Sequence, residues 1–328
     1  MPADRPSVLV TRPLPPPATA PLRDAGLDVH QLPCDEPPAP EALRAAVAGR
    51  AALLCLLTER IDAAVLDAAG PGLRVVANLA VGYDNVDVAA AAERGVVVTN
   101  TPDVLTEATA DLTWALLLAA ARRVVEGDAL VRAGRWEGWS PTQLLGAPVH
   151  GATLGIVGLG AIGTAVARRA RGFGMTVLYR NRGVNERAER ELGARRVELD
   201  ELLATADVVS LHAPLNEASH HLIDAAALGR MKPTAVLVNT ARGPLVDEAA
   251  LVVALREGAI AAAGLDVYER EPQLAEGLAD LPNVVLAPHA GSATTGARGA
   301  MVRLCCENIV AVLAGRPALT AVGPPVSG

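Results

Sequence analysis

The sequence predicts an α/β protein built as two doubly wound, parallel-sheet domains. Short β-rich runs alternate with Ala-rich helical segments almost throughout, as in parallel sheets covered by helices. At 328 residues the chain exceeds the usual single-domain size, so two domains are expected. Apolar residues make up 51% of it, enough for a real core and too many for a disordered chain. With one Phe, three Tyr and three Trp, that core has to be made of Ala, Val and Leu, which suits helices packed on a sheet.

In the first hundred residues the predicted strands are 7–11, 27–32, 52–57, 74–79 and 96–99. Helices are predicted between them at 41–48, 61–69 and 86–93. Residues 107–123 are predicted as one long helix, with Leu112, Leu116, Ala119 and Ala120 spaced to pack on one face. The Gly- and Pro-rich stretch 133–151, which carries Trp136 and Trp139, breaks the pattern. A new alternation starts with a strand at 153–157 and continues to about Pro288, and a long amphipathic helix at 294–313 ends it. The predicted layout is discontinuous, with a domain over 100–290 inserted into one made of 1–99 and 291–328. Two domains in tandem are the alternative.

Composition excludes several function classes. A net charge of −7 argues against a nucleic-acid partner, which needs a basic patch. Cys34, Cys55, Cys305 and Cys306 form no C-x-x-C pair and no metal-ligand spacing, so buried free thiols and no metal are expected. The N-terminus lacks a basic-then-apolar signal, and no apolar run reaches the ~20 residues of a membrane span. A soluble, cytoplasmic protein without a membrane partner is expected. Arg is the dominant cation, Lys232 being the one lysine, and this bias carries no mechanistic weight.

The first chemical signal is Gly158-Leu159-Gly160-Ala161-Ile162-Gly163, placed between an apolar strand and an Ala/Arg-rich helix. That context makes a G-x-G-x-x-G sequence specific for a dinucleotide. Gly158 allows the tight turn, Gly160 lets the backbone approach the pyrophosphate, and Gly163 permits close helix–strand packing. The helix N-terminus then meets the diphosphate with its amides. The next strand, 175–179, leads into Arg180-Asn181-Arg182, where a cofactor lacking a 2′-phosphate usually meets Asp or Glu. Two guanidiniums suit a 2′-phosphate, so NADPH is the expected cofactor, with NADH possible. The plainer reading of these arginines is solvated surface charge.

Three further residues follow strand-like runs: Arg242 in Asn239-Thr240-Ala241-Arg242-Gly243, Glu271 before Pro272, and His289 in Pro288-His289-Ala290-Gly291. Doubly wound folds bind ligands at the carboxyl ends of their strands. Reducing a 2-keto acid requires a hydride, a proton for the developing alkoxide and a hold on the carboxylate. His289 suits the proton donor, since imidazole titrates near neutral pH. Glu271 can pair with it and orient the ring, and Arg242 can bind the substrate carboxylate and carbonyl oxygen. Each residue taken singly also has a structural reading: a strand-end Arg, a turn Glu, a loop His.

With these motifs, Gly264-Leu265-Asp266-Val267-Tyr268-Glu269, Val81-Gly82-Tyr83-Asp84-Asn85 and Asn100-Thr101-Pro102-Asp103-Val104-Leu105-Thr106 in this order, the chain resembles the D-isomer-specific 2-hydroxyacid dehydrogenases over nearly its whole length. The glyoxylate/hydroxypyruvate reductase branch is the most similar, on these segments together with 53–57 and the Trp-bearing stretch. The resemblance implies a Rossmann-like cofactor domain inserted into a flavodoxin-like substrate domain, with the active site in the cleft between them. It implies the same roles for Arg242, Glu271 and His289. It also implies substrate carboxylate held by the amides of Val81 and Gly82, and the nicotinamide amide met by Asp266. Thr109, His212, Pro214, Thr240, Ala241 and Gly291 match positions along the cofactor, His212 as a loop residue beside the adenine without a chemical role.

Family members are usually homodimers, and the helix at 107–123 with the Trp-bearing segment is the expected interface. Trp139 either reaches a partner's substrate pocket or anchors the interface or core. The expected reaction is reduction of glyoxylate or hydroxypyruvate to the D-2-hydroxy acid. The alternatives are a reductase of a larger keto acid such as 2-ketogluconate or of oxidised phosphoglycerate, and a nucleotide-sensing corepressor-like scaffold. A formate dehydrogenase would carry an uncharged residue at Glu271.

Overall fold

The computed structural model describes residues 5–14 and 16–323. Residues 1–4, 15 and 324–328, which the predicted first domain includes, lie outside the described residues. The chain divides into two compact units, one ending at Leu105 and resuming at Thr294, the other running from Thr106 to Ala293.

In the first unit, β1 (Ser7–Val10), β2 (Asp28–Gln31), β3 (Ala52–Cys55), β4 (Val75–Asn78) and β5 (Val97–Thr99) pair in parallel in the order β5-β4-β3-β1-β2. This is the flavodoxin-like strand order. A short strand formed by Ala321–Val322 adds to the β5 edge in the antiparallel sense. β1, β3 and β4 are mostly Val, Leu and Ala and are buried on both faces, as covered parallel sheets require, whereas the edge strand β2 is polar and partly exposed. Helices over Ala63–Ala69 and Val88–Glu93 start two residues later than predicted. Asp62 and Asp87 cap them by accepting the amides of Val65 (3.1 Å) and Ala90 (2.9 Å). Just before these caps, Ile61 and Val86 form a parallel bridge and are therefore extended. The terminal helix, Thr295–Leu313, is capped by Thr294 and packs on β3 and β4, burying Met301, Val302, Cys305, Cys306 and Ile309. The Arg74 guanidinium donates to the carbonyls of Val312 and Leu313 at its C-terminal end.

The second unit holds β6 (Thr153–Val157), β7 (Thr176–Arg180), β8 (Arg195–Arg196), β9 (Val208–Leu211), β10 (Val236–Asn239), β11 (Ala262–Leu265) and β12 (Val284–Leu286). All pair in parallel in the order β12-β11-β10-β9-β6-β7-β8, the Rossmann arrangement. The order reverses between β6 and β9. The crevice beyond the carboxyl ends of these strands is the place the fold offers a ligand.

The predicted helix 107–123 is corrected at its C-terminal end. It runs from Thr106 to Ala121, and a second helix occupies Val124–Arg132. Arg123 takes a left-handed conformation (φ 53°), and the Ala121 carbonyl accepts the amide of Ala147 (2.8 Å) from the returning chain. Gly146 passes so close to that carbonyl that a β-carbon would collide with it. The predicted single packing face is also too narrow. Thr109, Ala110, Thr113, Trp114, Leu117 and Ala121 are buried along with Leu116 and Ala120, because the helix lies between the sheet and the helix after β6. Among the described residues no helix is long and apolar enough to cross a membrane.

Candidate active site

The glycine loop leaves β6 at Val157 and enters a helix over Ala161–Ala170. Gly158 sits at φ 96°, and a β-carbon there would meet the Ala213 amide nitrogen at 2.5 Å and the His212 carbonyl oxygen at 2.7 Å. At Gly163 a β-carbon would collide with the carbonyl of Gly158. Gly160, by contrast, faces open space, and no side chain caps the helix that follows it. An open, uncapped helix start between two glycines without room for side chains fits a diphosphate. The loop is braced by Asn181, whose Oδ1 accepts the Leu159 amide (2.6 Å), and by Asn185, whose Nδ2 donates to the Leu159 carbonyl (2.9 Å). Asn181, expected as a direct cofactor contact, thus has its side chain engaged in shaping the loop.

Arg180 ends β7, and Arg196 lies beside it on β8, where Tyr179 and Arg196 are register partners. Glu198 stands 3.4 Å from Arg180 and 4.0 Å from Arg196, and Arg182 is exposed. Arg196 escaped the sequence reading because it belongs to the neighbouring strand and joins this cluster only through sheet pairing.

On the other half of the sheet, β10, β11 and β12 deliver Arg242, Glu271 and His289. Asn239 shapes the first turn, donating to the Arg242 carbonyl (2.9 Å) and accepting the Ala241 amide (3.0 Å). The Arg242 guanidinium donates to the Ala241 carbonyl (2.8 Å). Gly243 packs against the backbone of Tyr268 and Glu269 with no space for a β-carbon, which draws the arginine loop onto the glutamate segment. His289 Nδ1 and Glu271 Oε2 lie 2.8 Å apart, and Glu271 Oε1 accepts the Tyr268 amide (3.0 Å). Burial pushes the Glu271 carboxyl up. The hydrogen bond and charge of His289, the Tyr268 amide and the charge of Arg242 outweigh it and hold the carboxyl below its ordinary range.

Asp266 fixes the turn that carries His289. One oxygen accepts the Ala290 amide (2.6 Å), the other the Gly291 amide (2.8 Å), and the Asp266 carbonyl accepts the His289 amide (2.8 Å). Its carboxyl is raised above the ordinary value by burial. The sequence shows only that Asp266 follows a strand, and the bracing role becomes visible through its bonds to residues 24 and 25 positions later. Gly291 packs against Asp266 and Thr109, where a β-carbon would lie 3.2 and 3.3 Å from their side chains. Thr113 links Thr240 (2.8 Å, hydroxyl to hydroxyl) to the Thr109 carbonyl (2.8 Å). Thr109, Thr240, Asp266 and Gly291 therefore form one connected, buried group.

Pro214 follows His212 and accepts a hydrogen bond from the Ser219 hydroxyl (2.8 Å). His212 Nε2 lies 2.8 Å from the Ser210 hydroxyl, and desolvation pulls its pKa down to about 4. A neutral ring at physiological pH fits a wall residue and not an acid–base group.

Within the first unit, three consecutive carbonyls after β4 are held from inside. Ala80 accepts from the Thr101 amide (2.9 Å), Val81 from Asn100 Nδ2 (2.8 Å) and Gly82 from Asn78 Nδ2 (2.9 Å). A trans peptide points its carbonyl and the following amide in opposite directions. The amides of Val81, Gly82 and Tyr83 are therefore turned the other way, and among the described residues they have no acceptor. Such a row of amides is an anion-binding arrangement.

Residues 114–291 match the family model described as D-isomer specific 2-hydroxyacid dehydrogenase, NAD binding domain. A glyoxylate reductase of Thermococcus onnurineus is 51% identical over 316 residues, 94% of this chain and 92% of that one. The chain belongs to the D-isomer-specific 2-hydroxyacid dehydrogenases. Among solved structures, a Thermus thermophilus protein superposes with a TM-score of 0.89 at 50% identity, over 97% of this chain and all (100%) of that one. An NADPH-dependent glyoxylate/hydroxypyruvate reductase from Sinorhizobium meliloti, in complex with NADP and malonate, gives a TM-score of 0.86 at 37% identity, covering 97% of each chain. As a member of this family the protein is an oxidoreductase that uses a nicotinamide cofactor.

For this dehydrogenase the His212 environment has a measurable consequence. The unfolded chain protonates this ring near 6.5 and the native state only near 4, so the unfolded state binds more protons between those values. The contribution of His212 to stability is complete above pH 6.5 and is lost as pH falls toward 4. Urea unfolding at pH 7 and pH 4.5 is expected to show a smaller pH-dependent loss in His212→Asn than in the wild type. An equal loss in both would contradict the assignment.

Proposed function

We propose that the protein reduces glyoxylate or hydroxypyruvate to the D-2-hydroxy acid with NADPH. The observation that carries the proposal is the 2.8 Å His289–Glu271 contact at the carboxyl edge of the dinucleotide-binding sheet. Half-identity to curated glyoxylate reductases supports the choice of substrate. The bound reduced nicotinamide supplies the hydride. Glu271 occupies His289 Nδ1, which leaves Nε2 to donate a proton to the alkoxide as the carbonyl carbon is reduced. In the oxidative direction the neutral ring takes the proton back. Arg242 binds the carboxylate and carbonyl oxygen and gains strength as charge develops on that oxygen. The amides of Val81 and Gly82, with Tyr83 as a third donor, hold the carboxylate, and Asn78 and Asn100 act as positioning residues. Thr109, Thr240, Ala241, Asp266 and Gly291 line the nicotinamide side of the cofactor, and His212 and Pro214 its adenosine side.

The proposed preference for NADPH rests on Arg180 and Arg182 following β7, where a carboxylate usually meets the ribose hydroxyls of NADH, and on Arg196 beside Arg180 on the next strand. A homodimer is supported by apolar side chains exposed on the helix 124–132 and the segment after it: Val124, Val125, Val131, Trp136, Leu145 and Trp139, the last 83% exposed. The helix at 106–121, also expected to contribute, exposes Glu107, Asp111 and Ala115 but buries most of its apolar side chains, so the proposed interface centres on 124–145. Cytoplasmic residence accords with four free cysteines.

Steady-state oxidation of NADPH and NADH with glyoxylate, hydroxypyruvate and 2-ketogluconate tests the substrate and the cofactor together. The highest kcat/KM is expected for one of the two smaller acids with NADPH. Replacing Arg180 and Arg196 by Ser is expected to raise KM for NADPH by about tenfold or more, the scale of lost charge-assisted hydrogen bonds, and to leave NADH nearly unaffected. Turnover confined to 2-ketogluconate would move the substrate, and equal losses with both cofactors would refute the arginine assignment. Sedimentation equilibrium is expected to give twice the chain mass, and a monomer would refute the dimer.

A further inference from the structure

Three metal-capable side chains that the proposed reaction does not use meet in the second unit. His220 and His221 lie in the loop after β9, and Glu269 follows β11. One ligand atom from each lies within 4.8 Å of the other two. His221 Nε2 is 2.8 Å from Glu269 Oε1, and the two imidazoles stack with centroids 4.0 Å apart at 27°.

Two of the three donors are fixed at both backbone and side chain. The His221 amide donates to the Pro244 carbonyl (2.8 Å), and His221 itself takes a left-handed conformation (φ 48°). The Glu269 amide donates to Glu248 Oε1 (2.6 Å), and Glu269 Oε2 faces the Glu248 amide at 3.4 Å. His220 is exposed and lies over His221, so the cluster opens to solvent on one side.

We propose that His220, His221 and Glu269 form a binding site for a divalent transition cation of zinc type. Two imidazole nitrogens and one carboxylate oxygen are a known zinc ligand set, with the fourth position open to water. Nitrogen donors favour zinc, cobalt, nickel or copper over magnesium and calcium, which prefer oxygen. The ion replaces the proton shared by His221 Nε2 and Glu269 Oε1, and that proton leaves to solvent. Binding rotates the exposed His220 ring out of its stack on His221, so that the three ligand atoms converge to the ~2.0–2.2 Å distances of zinc coordination. The single carboxylate leaves the bound ion a net charge of about +1, and the neighbouring Glu248 further favours a cation. Sequence spacing hides the site because His221 and Glu269 are 48 residues apart.

An occupied site ties the loop after β9 to a segment two residues from Glu271. It therefore stabilises the native state in proportion to the free ion. The test uses the full chain, stripped with chelator, in a Cys34→Ser background so that the exposed thiol takes no metal. Zinc is titrated in competition with a chromophoric chelator, cobalt is followed by its visible absorption, and the melting temperature is recorded with and without zinc. One equivalent per chain and a raised melting temperature are expected. His220→Ala, outside the substrate and cofactor machinery, is expected to weaken zinc binding by about tenfold or more and to abolish the melting shift. Unchanged zinc affinity in His220→Ala would overturn the site, as would the absence of saturable binding to the parent protein.

Discussion

The carboxylate of Asp266 is the constraint on which the active-site geometry depends. It is 1% exposed and spends both oxygens on consecutive amides, those of Ala290 and Gly291. These bonds hold His289 at φ 52°, a conformation that costs a non-glycine residue on the order of 1–3 kcal/mol. Hydrogen bonds to a charged group contribute about 1.5–3 kcal/mol each, the same scale as that strain. The outcome is a ring with Nδ1 directed at Glu271 and its other nitrogen left for chemistry. Burial raises the Asp266 carboxyl, which is the cost of placing this brace inside the unit.

Around that brace, neighbouring parallel strands do the positioning. β10 and β11 are in register from Val236 with Ala262 to Asn239 with Leu265, so their carboxyl ends finish side by side. Gly243 then lies against the backbone of Tyr268 with no space for a side chain. Arg242 and Glu271 are thereby brought close enough for the arginine to help hold the glutamate ionised. Tyr268 closes the group from behind: its hydroxyl donates to the Ala287 carbonyl (2.7 Å), and burial pushes its pKa up to about 12, so it stays a neutral donor. The site is thus a product of strand register, one glycine and a set of hydrogen-bonded polar groups.

Much of this was legible in the sequence because its carriers are local. The parallel strands announce themselves as apolar runs, and the glycine loop declares itself by its place between strand and helix. Arg242, Glu271 and His289 are visible as polar residues just beyond strands. Residues whose roles depend on distant partners were not legible. The helix predicted to reach Arg123 stops at Ala121 because a residue 26 positions later, Ala147, takes its last carbonyl. Asn78 and Asn100 look like ordinary strand-end residues until the carbonyls of Gly82 and Val81 are seen against them. Arg196 joins Arg180 only across a strand pair, and the His220–His221–Glu269 cluster only through a loop's return.

The proposed reduction turns on His289 as the proton donor. Its most direct test is turnover of glyoxylate by His289→Ala, measured beside a fluorescence titration of NADPH on the same protein. A proton-donating His289 predicts a fall in kcat of about 100-fold or more, the scale of general acid catalysis, with NADPH affinity retained. An undiminished kcat would contradict the claim, whatever the state of the cofactor site.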